Sequence, residues 1–94
     1  MTKENESFHE ARTGDITVIR SNEYADVIGL ERFNRAMQEK LAKKRDEGRH
    51  GWHLPAYCSM EYLNTLLMKH IAKGDMVDVA NIAMMIWNRE NPLP

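Results

Sequence analysis

Apolar residues along this chain fall into three helical blocks, the densest of them last. From Asp75 to Trp87 the chain reads Asp75-Met76-Val77-Asp78-Val79-Ala80-Asn81-Ile82-Ala83-Met84-Met85-Ile86-Trp87. An acidic start thus runs into a segment that is apolar on nearly every helical face, and such a helix belongs at the centre of a fold. Its two polar interruptions, Asp78 and Asn81, are three residues apart and share one side of the helix. Asp75 is placed to cap the helix, with Asp78 at the third helical position, so Asp75-x-x-Asp78 reads as an acidic capping box. Asn81 has no comparable local duty. If buried, its amide needs partners, because an unpaired buried polar group costs about 1 to 3 kcal/mol. A bond across a helix interface or to a ligand is expected there. Pro92 stops the helix.

Two earlier blocks predict two more helices. Leu30, Phe33, Met37 and Leu41 recur at three and four residues, while Glu31, Arg32, Arg35, Glu39, Lys40, Lys43 and Lys44 occupy the other side. Ser21 or Asp26 is the expected cap, with regular helix starting near Gly29 and ending at Gly48. In the middle block Ser59 is the expected cap and Glu61 the first-turn acid. Met60, Leu63, Leu67 and Ile71 form its stripe, and Lys73-Gly74 its end. Ahead of the helices, residues 1–15 are polar and Glu-rich, which predicts a loose tail. Ile16-Thr17-Val18-Ile19-Arg20 is a short β-branched run that predicts a strand or an extended arm. The expected fold class is therefore all-α: a small three-helix domain over residues 21–94 carrying a flexible or extended N-terminal arm over residues 1–20.

Composition narrows the class. The 94 residues, 43% hydrophobic, suit one small domain. A chain of this size buries only about 60% or slightly more of its unfolded surface, so its core is marginal and assembly into a homo-oligomer is expected. A formal net charge of −1 argues against general binding to nucleic acid or to an anionic membrane. A helix-turn-helix drawn over residues 59–87 would have a recognition helix too apolar to read bases. No apolar run approaches the roughly 20 residues needed to span a bilayer, and the N-terminus does not read as a signal peptide. The single cysteine, Cys58, excludes an internal disulfide. These features together predict a protein of the cytoplasm of a cell, or of a host cell.

Candidate chemistry gathers around the loop Arg49-His50-Gly51-Trp52-His53-Leu54-Pro55. Trp52 is costly to leave in water and should either plug the core or sit in an interface. The cations Lys40, Lys43, Lys44, Arg45 and Arg49 suit the negative end of a helix dipole, or else contact an anion such as phosphate. His70 near the end of the second helix suits the same dipole. Zinc by His50, His53, Cys58 and His70 is disfavoured, since their spacing matches no strong finger pattern. Candidate ligand- or partner-binding residues are Arg49, His50, Trp52, His53, Tyr57, Tyr62, Asn81 and Trp87. Seven methionines fit an adaptable interface.

Two family resemblances follow. Gly48-Arg49-His50-Gly51-Trp52, Pro55, Cys58-Ser59, Glu61, Leu66-Leu67, His70, Lys73-Gly74-Asp75, Val77-Asp78-Val79-Ala80-Asn81, Ala83-Met84-Met85 and Trp87-Asn88-Arg89 resemble a family of small phage and prophage accessory proteins, over residues 34–90. That family has no settled biochemical activity. The resemblance implies a mobile-element origin more than a mechanism. On that origin, the first expectation is an accessory protein that binds a host protein or small ligand, with host takeover or defence evasion as its setting. Over residues 57–87 the chain also resembles the all-α nucleoside triphosphate pyrophosphohydrolases of the MazG type, whose paired helices hold magnesium. That resemblance implies Mg2+ held by Glu61 and Asn64 on one helix and by Asp78 and Asn81 on the next, with water attacking a phosphate of a nucleotide-like ligand. Two asparagines stand where that family has carboxylates, which lowers metal affinity and favours a degenerate, ligand-binding descendant. Binding is thus the first expectation and magnesium-dependent hydrolysis the alternative.

Overall fold

The computed structural model describes residues 15–94, and all of its regular structure is helical. Helix α1 spans Ile16–Asp46, α2 spans Met60–Lys73 and α3 spans Met76–Glu90. No strand occurs among the described residues, in agreement with the all-α expectation. The chain divides into two compact units, one ending at Arg32 and the other running from Phe33 to Pro94.

In the first unit, the extended arm or strand expected over residues 16–20 is instead the opening of α1. Asp15 starts it in the manner of an N-cap: its Oδ1 accepts from the Val18 N–H at 3.2 Å, and its carbonyl accepts from Ile19 N–H at 3.1 Å. Two physical reasons favour helix here. A lone strand has no ladder partner, whereas Ile16 and Ile19 fall in phase with Val27 and Leu30 at the helical period. Gly29, at about 1 kcal/mol relative to alanine, is carried inside the helix and does not begin it. The remainder of the expected arm, residues 1–14, lies outside the described residues. No residue of α1 is buried, and Ile16, Tyr24, Val27 and Leu30 are each more than half exposed.

The second unit is a helical hairpin of α2 and α3 together with the C-terminal part of α1 and a turn-rich loop. Local chemistry defines its helix ends. Ser59 Oγ accepts from the Tyr62 N–H at 3.0 Å. Gly74 closes α2 in the left-handed region at φ +77°, its N–H donating to the carbonyls of His70 and Ile71. Asp75 follows at once as the cap of α3, Oδ1 accepting from the Asp78 N–H at 3.1 Å. Leu63, 1% exposed, and Ile82, 5% exposed, form the centre of the hairpin. Buried beside them are two polar residues, Asp78 and Asn81, so α3 is the most buried helix, as its composition predicts. The stripe on α2 departs from expectation in its last turn, where His70 is half-buried and Ile71 is 48% exposed.

The loop between α1 and α2 is tied down from α3. Arg89 Nη1 donates to the carbonyls of Trp52 at 2.9 Å and Cys58 at 2.7 Å, two charge-assisted bonds that fix the middle of the loop and its C-terminal end. Gly51 is buried at φ +88°, a backbone conformation that favours glycine, and a Cβ there would press on Tyr57 Cβ at 3.3 Å. No helix among the described residues is long and apolar enough to cross a membrane.

Candidate functional site

A cavity of about 320 Å³ lies within the Phe33–Pro94 unit. Lys40, Leu41 and Lys44 reach it from α1, and Arg49, His50, Trp52, Tyr57 and Cys58 from the loop. Tyr62, Leu63, Leu66 and His70 line it from α2, with Asp78, Asn81, Ile82 and Met85 from α3. Of the residues expected to bind a ligand or partner, six therefore meet at one place: Arg49, His50, Trp52, Tyr57, Tyr62 and Asn81. His53 and Trp87 do not line the cavity. His53 stands edge-on to Trp52, ring centroids 5.6 Å apart, and Trp87 is 61% exposed on α3.

One side of the cavity is built on a four-residue charge cluster. Lys40 Nζ lies 3.1 Å from Asp75 Oδ2 and 3.3 Å from Asp78 Oδ2, bridging the cap of α3 to its first turn. His70 Nδ1 approaches the same Asp78 oxygen at 3.5 Å without forming a hydrogen bond. This accounts for the last turn of α2: the ring of His70, not Ile71, turns toward the buried carboxylate. The expected reciprocal capping box is only half formed. Asp75 accepts from the Asp78 backbone, but the Asp78 carboxylate faces Lys40 and His70. The Asp78 N–H, and after it the Lys40 ammonium, hold the Asp75 carboxyl down at about 2. The Lys40 ammonium is held above its ordinary pKa by hydrogen bonding to Asp75 first and to Asp78 second.

Asn81, one turn beyond Asp78, donates from Nδ2 to the Met37 carbonyl at 3.2 Å and so ties α3 to α1 within this unit. Its Oδ1 is buried and has no hydrogen-bond partner.

The four residues expected to hold magnesium divide into two pairs. Asp78 and Asn81 are buried and line the cavity, whereas Glu61 and Asn64 are exposed and do not. Asn64 Nδ2 is engaged by the Met60 carbonyl of its own helix at 3.0 Å, and Asp78 is occupied by two cationic or cationisable side chains. The donors thus do not converge as a magnesium site requires, and no group of three or more His, Cys, Asp or Glu side chains suited to a metal occurs among the described residues. Of the basic cluster at the end of α1, Lys40, Lys44 and Arg49 reach the cavity, while Lys43 and Arg45 do not. The pairing of Lys40 with two acids far along the chain escapes the sequence. Its one signal is a place between Met37 and Leu41, at the edge of the apolar stripe.

No protein-family model matches this chain, and no curated protein or solved structure matches it.

Proposed function

We propose that this chain acts by binding, as a phage-type accessory protein in the host cytoplasm, and that its Phe33–Pro94 unit takes a small ligand combining a planar ring with a negative charge. The observation that supports this reading is the make-up of the cavity. Its volume falls in the range of small-molecule sites. Trp52, Tyr57 and Tyr62 offer aromatic surface on which a flat ring stacks. Lys44 and Arg49 line it without an ion-pair partner among the described residues, so their charge is available to an anion. Calorimetric titration with adenosine monophosphate, adenosine and ribose 5-phosphate tests the reading. The monophosphate should bind at least about tenfold more tightly than either fragment, with affinity falling as salt rises. Absence of binding by all three would count against it.

A second reading, self-association, is supported by α1, where Ile16, Tyr24, Val27 and Leu30 are each more than half exposed along one helix. Sedimentation of the full chain over a range of concentrations tests it, and a monomer throughout would count against it.

A further inference from the structure

We infer that Asn81 selects among ligands of this cavity, admitting those that present an exocyclic amino group to α3. The inference rests on the small-ligand reading above and adds which end of the ligand enters and what it must carry. The orientation of the Asn81 amide is settled by chemistry: a backbone carbonyl can only accept, so the nitrogen must face Met37 O, at 3.2 Å, and the oxygen must face away. Asn81 lines the cavity and is only 4% exposed, and its oxygen is buried without a donor. One turn earlier Asp78 also lines the cavity, and its Oδ2 is already flanked by Lys40 and His70. Helix α3 therefore offers acceptors, while Lys44 and Arg49 offer donors from α1 and the loop.

A ligand bound between them is polarised the same way. Its anion meets Lys44 and Arg49, and its ring reaches Asn81. A ring with no hydrogen at that edge leaves the buried Oδ1 unsatisfied, whereas an amino group supplies the missing bond. Asn81 is thus a specificity-determining residue, and aminated heteroaromatic monophosphates are the favoured class.

The test compares adenosine and cytidine monophosphates with purine riboside and pyrimidin-2-one riboside 5′-monophosphates, which lack only the amino group. Titrated against the full chain, at least one aminated ligand should bind, and loss of its amino group should weaken it at least about tenfold. Asn81→Leu should bring that ratio close to one, while Arg49→Ala should weaken both members of the pair and leave their ratio unchanged. Equal binding of a ligand and its deaminated analogue by the wild-type chain would overturn the inference while leaving the small-ligand reading intact. Failure of both aminated ligands to bind would overturn the inference, and failure of all four monophosphates would overturn the small-ligand reading with it. The wild-type comparison decides the matter even if the leucine variant does not fold.

Discussion

Helices α2 and α3 carry the same short pattern, an acid in the first turn and an asparagine three residues on, with opposite outcomes. On α2, Glu61 and Asn64 are exposed, and the Asn64 amide turns back to the Met60 carbonyl of its own helix. On α3, Asp78 and Asn81 are buried, the first beside Lys40 and His70 and the second bonded to Met37 across 44 residues of chain. Spacing decides which side of a helix two residues share. What the facing element offers decides whether that side can be buried. Lys40 and the Met37 carbonyl make burial tolerable on α3 by giving the Asp78 carboxylate and the Asn81 Nδ2 each a partner, with only Asn81 Oδ1 left over.

The comparison breaks most sharply at the asparagines. Asn81→Asp places a second carboxylate one turn from Asp78 and removes the donor that Met37 O receives, so unfolding by urea at neutral pH should show a loss of about 3 kcal/mol. Asn64→Asp, exposed, should stay within about 0.5 kcal/mol of wild type. Similar losses for the two would mean that burial does not distinguish the pairs. At the acids, Asp78→Asn should cost about 1 to 2 kcal/mol. The loss is moderated because Lys40 keeps Asp75 as a partner. Glu61→Gln should cost no more than about 0.5 kcal/mol, the scale of a first-turn charge on an exposed helix.

Those expectations also mark what the chain makes readable. Ser59, Gly74 and Asp75 act at the helix ends where their local chemistry puts them, because a cap bonds to backbone within three or four residues. The burial of α3 follows from its composition, and so does the need of Asn81 for a distant partner. Six of the eight proposed contact residues share the cavity because the loop that holds most of them is short and pinned by Arg89. The misreadings have equally specific causes. Ile16–Arg20 satisfies a strand by residue type and a helix by spacing, and only the lack of a partner strand decides. The inward turn of His70 in place of Ile71 depends on a carboxylate eight residues later on the next helix. The residues named for magnesium part for the same reason: Glu61 and Asp78 face different surroundings despite matching intervals.

The bridge from Lys40 to α3 should appear in the pH dependence of stability. Asp75 has a folded pKa of about 2 against an ordinary value of 3.8, so its contribution is present above about 3.8 and is lost as pH falls toward 2. For Lys40 the folded pKa is raised. Its contribution is complete below the ordinary value of 10.5 and is lost as pH rises through the folded pKa. Thermal unfolding as a function of pH should therefore show an acid limb that Asp75→Asn flattens and an alkaline limb that Lys40→Met flattens. An acid limb unchanged in Asp75→Asn would assign the pH dependence to other carboxylates.

The smallest effect tests the comparison from its quiet side. Glu61→Ala loses a favourable charge at the start of α2, whereas Asn64→Ala replaces a residue that competes with the helix backbone by one that favours helix, so the two changes oppose each other. The double variant should stay within about 0.5 kcal/mol of wild type. Millimolar magnesium should leave the Tm of both chains unchanged, because a cation stabilises only where a folded site binds it. A magnesium-dependent rise in wild type that vanishes in the double variant would show the exposed and buried pairs converging on one ion in solution. The contrast between α2 and α3 would then describe only the metal-free protein, and the hydrolase alternative would regain its ligand set.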